Sequence, residues 1–462
     1  MKHGLLPEPP QATHTFIPMN PNYARQVAVV GLLTLAAWPA RAADLTGRVT
    51  SASAAPIAGA TVFVYTAGPK TGTSPYCPSC YPDCGKTAKT DAGGSFAIKG
   101  LSDGLKFRLL VVAKDHQPTF LPGVDPAATA VDVTMKPRFN ADAPPERTVR
   151  GHVVDAHGAQ IYGAVVEVEG VDFGNGLRRW GAVEQSDPLA VTDESGEFVL
   201  TTKEAVAALL GRVTARGYAS ENIRLDLGKT VTLTVADGAT LTGRVVRDGQ
   251  PVPNVMVGVS AQDRAAGVYA GHFEVGTDAN GRFVLSNLPA KTDYYLYGLM
   301  DTVSAHGAIP FRPVHAGRDG GTTDVGDVAI RAGYRLSGRV MLSDGGKLPP
   351  DMRLLVGRHE AWDSQTVSLG PDGEFDVSGL PLEVVNLTIR VPGYMISEKN
   401  RSFDPLNRRV MGKITGDVTG MELLLEPAAP FTGINLSAPR RAPSPPPGER
   451  LENLPLRGVE GR

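Results

Sequence analysis

Four short strings recur along this 462-residue chain at domain-sized intervals. They are Leu-Thr-Gly-Arg-Val from Leu45, Val-Arg-Gly-His-Val from Val149, Leu-Thr-Gly-Arg-Val from Leu241 and Leu-Ser-Gly-Arg-Val from Leu336. Their starts lie 104, 92 and 95 residues apart. Solenoid units run to roughly 20–50 residues, so a period near one hundred means small domains, each with its own core. The chain must therefore repeat one fold four times.

The period of the apolar residues says what that fold is made of. In the second copy Val166 and Val168 alternate with Glu167 and Glu169; in the third, Val255, Val257 and Val259 share one parity. Period two lines one face of a strand, whereas a helix would scatter those side chains. Each copy then reaches a turn: TDAGGSF from Thr90, TDESGEF from Thr192, TDANGRF from Thr277 and GPDGEF from Gly370. Asp caps its own turn, Gly supplies positive φ, and Phe96, Phe198, Phe283 or Phe375 opens the next strand. One Asp per turn falls far short of the six or more oxygens calcium takes, so these are turns and not ion loops. Further short β runs close each copy, which predicts a small antiparallel sandwich. In the second copy, Thr201 and Glu204 read either as the capping box of a short helix or as part of a strand. Gly 53 and Pro 37 suit a chain built of turns.

These residues carry a resemblance. Gly-Arg-Val, then Gly59-Ala60 before a strand, then Thr-Asp-x-x-Gly-x-Phe and a Gly-Leu or Asn-Leu-Pro turn are similar to the carboxypeptidase regulatory-like domain. That domain is a prealbumin-like (transthyretin-like) seven-stranded Greek-key sandwich, and the B-type repeats of bacterial collagen adhesins look much the same. Copies one and three match well, copy two matches with a loop insertion, and copy four lacks the Thr-Asp pair. The resemblance implies an all-β chain of about four tandem Greek-key sandwiches, at 43–138, 147–236, 239–332 and 334–427. It also implies a non-catalytic accessory role, since the regulatory-like domain is not the peptidase.

The flanks read differently. Arg25, the 12-residue apolar run Val27–Trp38 and Ala40-Arg41-Ala42 predict an export signal at 19–42, cleaved after Ala42. Met19 is then the initiator and residues 1–18 a mis-called leader. No later segment is apolar for long enough to cross a bilayer, so no transmembrane segment is expected after cleavage. Residues 428–462 are rich in proline and charge and predict a disordered tail.

Chemistry is sparse. The formal net charge of −2 leaves no electrostatic footprint for nucleic acid. None of the nine His begins a His-Glu-x-x-His zinc motif, and no nucleophile elbow, Walker loop or dinucleotide fingerprint occurs. No cofactor and no catalytic residue are expected. Three cysteines, Cys77, Cys80 and Cys84, crowd one loop of the first copy. In an oxidising compartment they predict one disulfide plus a leftover thiol that links to a partner. A metal site would need a fourth ligand such as Asp83 or His116, and a redox pair would need a helix after Cys80. Tyr81 stands where a c-type haem requires His. After signal removal the remaining tryptophans are Trp180 and Trp362, both in polar excursions from the repeat. Trp180 follows Arg178 and Arg179. These four are the candidate ligand-binding residues, either as a flat platform for a sugar ring or as lids folded back onto their own domains.

The function expected is an exported protein, periplasmic or extracellular, with a binding or scaffolding role at the cell envelope and a glycan or envelope-protein partner. The alternatives are a metal-binding or redox protein using the cysteine loop, and a pure structural spacer.

Overall fold

The computed structural model describes residues 42–128, 130–139, 142–265, 269–428 and 454–457. Within them four two-sheet β-sandwiches follow one another, so the tandem all-β architecture is as the repeat predicts. The leader 1–18, the signal 19–42 apart from Ala42, and most of the tail lie outside the described residues. Among the described residues no helix is long and apolar enough to cross a membrane.

Each recurring string is the first strand of its sandwich: Ala42–Ser51, Thr148–Asp155, Ala239–Arg247 and Tyr334–Leu342. That strand pairs antiparallel with the strand after the Asp-Gly turn. On its other edge it pairs with the last or near-last strand of the copy, and there the strands run parallel. The purely antiparallel expectation is corrected at this one ladder per sandwich. A parallel pair needs a long crossover, and here the whole opposite sheet supplies it.

The same ladder explains the motif. Gly47, Gly151, Gly243 and Gly338 stand directly opposite Phe96, Phe198, Phe283 and Phe375. A Cβ on Gly47, Gly151 or Gly243 would come within 2.6, 2.7 and 2.6 Å of the facing ring. In these three copies the aromatic lies over bare backbone and forms one packing unit with the glycine, whereas the atoms nearest Gly338 are the Met421 backbone. The Thr of each Thr-Asp pair is buried and binds twice. Thr90, Thr192 and Thr277 accept the N–H of Ala60, Ala164 and Val255 and donate to the carbonyls of Ile57, Ile161 and Val252. Asp91, Asp193 and Asp278 each accept backbone N–H groups of their own turn, as a turn cap should. In the fourth copy Leu369 replaces the Thr, and the turn is tied down by backbone bonds, from Leu369 N–H to the Met352 carbonyl and from Val340 N–H to the Gly373 carbonyl.

The open segment of the second copy resolves as strand: Ala208–Thr214 follows an irregular stretch, and Thr201 ends the preceding strand. Four separate apolar cores sit between the sheets. A fifth cluster, Phe63 and Leu110 against Val165 and Leu189, joins the first sandwich to the second. Second and third meet where Asn287 donates to the Gly217 and Asp237 carbonyls at 2.8 and 2.9 Å. Third and fourth are joined by Arg358. Its side chain is 1% exposed, donates to the Gly298 and Ile309 carbonyls of the third sandwich, and pairs with Glu383 and Asp363 of the fourth.

One segment past the last sandwich is also placed. The Leu454 carbonyl accepts the Lys413 N–H at 2.7 Å, the Leu456 N–H returns to the Lys413 carbonyl at 3.0 Å, and Leu456 is buried in the fourth core.

Candidate functional site

The site grows from one sheet of the second sandwich. Its strands lie in the order Arg178–Trp180, Val165–Asp172, Ala208–Thr214 and Glu221–Asp226. Register sets Trp180 opposite Gly170, Gly170 opposite Leu210, and Leu210 opposite Arg224, a single row across four strands. Gly170 has no side chain to lift the indole away. A Cβ there would come 3.2 Å from the Trp180 ring and 2.5 Å from the Arg179 carbonyl oxygen. The aromatic-over-glycine unit of the first three cores recurs here, with the aromatic 41% exposed.

Strand alternation sorts the candidates. Arg178 and Trp180 share a face, and both line a cavity of about 470 Å³. Arg179 points the other way, pairing with Glu204 at 2.7 Å and lying 5.8 Å from the Phe173 ring. Arg179 therefore stands outside the cleft.

Two further guanidinium groups reach it from neighbouring strands, Arg212 and Arg224. Buried Asp172 organises this wall. It accepts from Gly174 N–H at 2.8 Å, Arg178 Nε at 3.1 Å and Arg224 Nη1 at 2.5 Å. The Gly174 N–H first, then Arg224 and Arg178, hold its carboxyl below the usual carboxylate range.

The facing wall comes from other sandwiches: Arg264 and Tyr269 from the third, Trp362 from the fourth. Trp362 stacks on His272 at 5.2 Å and on Tyr269 at 5.6 Å between ring centres, and Arg264 lies 5.9 Å from its ring. It remains 49% exposed. Asn222 of the second sandwich donates to the Tyr269 carbonyl at 3.0 Å and ties the two walls together. The Tyr269 hydroxyl is buried and has no hydrogen-bond partner among the described residues. Burial pushes that hydroxyl's pKa up.

Three of the four residues read from sequence thus line one cleft, Trp180 against Gly170 of its own sandwich and Trp362 against Tyr269 and His272 of the third. Arg212, Arg224, Arg264 and Tyr269 escaped the sequence reading. The signal for Arg212 and Arg224 was their place on alternating strands, invisible without register.

The cysteine loop does something else. Cys77 and Cys80 form a disulfide. Cys84 is buried in the first core, donates its S–H to the Pro78 carbonyl, and burial pushes its thiol up to about 11. The expected partner-seeking thiol is corrected: it is a core residue. No helix follows Cys80, and among the described residues no group of metal-ligating side chains gathers. The loop instead wedges between sandwiches. Arg216 of the second donates to the Ser79 carbonyl, and Gly276 of the third donates to the Ser74 carbonyl at 2.6 Å.

No family model matches this chain, and no curated protein matches it. Among solved structures it is similar to a minor pilin of Streptococcus agalactiae, with 14% identity over 42% of this chain and 97% of that one and a TM-score of 0.23. It is also similar to the Bacillus anthracis TIE protein, with 13% identity over 88% and 78% of the two chains and a TM-score of 0.18. The major pilin subunit of Bacillus cereus follows at 10% identity, 84% and 100% coverage and a TM-score of 0.16. TM-scores this low carry no functional argument.

Proposed function

We propose that this chain is an exported, non-catalytic binding protein of the cell envelope that holds a carbohydrate in the cleft between its second, third and fourth sandwiches. The resemblance to regulatory-like domains supports an accessory role without chemistry of its own. The observation that carries the reading is the convergence of Trp180 and Trp362, from sequence-distant domains, on one cavity with both rings part-exposed. Exposed aromatic faces on a rigid β scaffold offer apolar area for the C–H faces of a pyranose, while polar neighbours bind its hydroxyls. Asn222 ties the two walls to each other and Arg358 holds the facing wall together, so little ordering cost remains to be met on binding.

The test is retention of residues 43–462 on insoluble polysaccharides and cell-wall material, beside Trp180→Ala and Trp362→Ala. Trp180→Ala is the cleaner change, since Trp362 also stacks between two side chains of the third sandwich. Retention that Trp180→Ala abolishes, at an unchanged melting temperature, supports the reading. Retention indifferent to both changes, or none on any matrix, removes it.

A further inference from the structure

The cleft is rich in one kind of charge. Arg178, Arg212, Arg224 and Arg264 line it, against Glu169 on the wall and Asp172 behind. In a chain of formal net charge −2, this is a local excess of cation. We infer that the cleft selects an acidic sugar, a pyranose bearing a carboxylate such as a uronate, over a neutral one; the inference rests on the carbohydrate reading above.

Three features favour that class. Arginine presents planar pairs of N–H donors that match a carboxylate, and each guanidinium carries five such donors. Arg178 spends Nε on Asp172, and Arg224 spends Nε on Asp226 and Nη1 on Asp172. Among the described residues the hydrogen bonds of Arg212 are long, 3.5 Å each to Glu169 and to Ser220. Each therefore keeps N–H groups uncommitted among these contacts, and Asp172 fixes two of the three in place. Second, the Arg212 side chain is only 20% exposed, so its attraction for an anion is less screened than at an open surface. Third, Tyr269 lines the same cleft, and its buried hydroxyl has no hydrogen-bond partner among the described residues. A ring lying on Trp180 has Leu210 and Arg224 beside it in the same cross-strand row. The apolar face and the cation thus sit where a sugar's face and its ring carboxylate would meet them.

A single aromatic row and a cavity near 470 Å³ suit one or two sugar rings better than a nucleic-acid strand, which needs a cationic groove with successive stacking platforms. Sulfated sugars share the negative charge but lack the planar carboxylate geometry.

The experiment is calorimetric titration of residues 43–462 with tetragalacturonate, its fully methyl-esterified form, a sulfated oligosaccharide and oligodeoxythymidylate. The expected result is at least tenfold preference for the free acid over the ester, weakening as salt rises. Arg212→Met should lower affinity for the acid by roughly ten- to hundredfold, the loss of one charge-assisted hydrogen-bonded contact, and lower affinity for the ester by a smaller factor, narrowing the preference between them. Trp180→Ala should weaken both. Should Arg212→Met fail to fold, Arg212→Lys keeps the charge without the fork and is expected to lie between. Equal binding of acid and ester overturns the inference and leaves the carbohydrate reading intact. Tighter binding of the sulfated sugar overturns the carboxylate assignment, and tighter binding of the oligonucleotide overturns the ligand class. Binding of no sugar overturns both readings together.

Discussion

Arg358→Ala weakens the joint between the third and fourth sandwiches, and with it the seat of Trp362 against Tyr269 and His272. Arg358 places Nε and Nη2 on Glu383 at 2.9 and 2.8 Å and Nη1 on Asp363 at 3.2 Å. The two carboxylate side chains are 4% and 5% exposed. Removing the cation leaves both buried and unpaired, which costs about 3–5 kcal/mol for breaking a buried pair. Sandwiches three and four together are a unit for which one kcal/mol moves the melting temperature by about 2–4 °C, so the transition should fall by about 6–20 °C. A pH dependence follows. Burial already pushes the Asp363 carboxyl up, opposed by Arg358, and without Arg358 that opposition is gone. Between its ordinary value and its raised folded value the folded state holds the extra proton. The variant should therefore regain stability as pH falls through that window and lose it as pH rises. Scanning calorimetry of wild type and variant from pH 7 down to pH 4.5 reads this directly. A transition within 2 °C of wild type at neutral pH, or a deficit that grows on acidification, would refute the buried-charge account. Replacing both partners, Arg358→Met with Glu383→Leu, should recover part of the loss, because no charge is then orphaned at that pair.

Three further outcomes are expected. Intact mass after iodoacetamide at pH 8 should show no label on the native chain, one on the unfolded chain and three after reduction, because Cys84 is buried with a thiol pushed up to about 11; a labelled native chain would mean the thiol is open. Gly170→Ala drives a Cβ into the Arg179 carbonyl and should cost about 1–3 kcal/mol of overpacking, displacing Trp180 and weakening glycan binding at least tenfold. Binding that survives it would show that the platform does not need bare backbone. Thr192→Val strands the Ala164 N–H and the Ile161 carbonyl and should cost about 2–4 kcal/mol in urea unfolding, whereas Leu369→Val in the fourth copy, with no such bonds to lose, should cost less.

The fold was legible because its punctuation is chemical. Gly-Arg-Val and the Phe after each Asp-Gly turn are two halves of one cross-strand contact, so their recurrence in the sequence is the recurrence of a core. Trp180 and Arg178 were legible for the opposite reason: they interrupt the pattern. Arg212 and Arg224 were hidden because they obey it. A charged residue on the outer face of a strand is ordinary, and only the register of four strands puts these two beside Trp180. Arg179 was misplaced because Arg178–Trp180 had not been read as a strand, and period two then sends its neighbour to the other face. That Trp362 should meet Tyr269 and His272 depends on how two domains dock, which repeat-level reading does not address. Cys84 looked like a spare thiol because spacing to the other cysteines carries no information about burial.

The seating of Leu454–Arg457 on the fourth sandwich has a consequence for how the chain behaves when cut. The last strand ends at Pro427, and Leu454–Arg457 make main-chain bonds with Lys413 and Ser402, anchored by Leu456. A cut between the last strand and Leu454 would turn this contact into a bimolecular one, and a few hydrogen bonds with one buried Leu fall short of an association cost of roughly 4–15 kcal/mol. A clipped preparation should therefore lose the C-terminal piece on gel filtration and open the place that Leu456 fills in the fourth core.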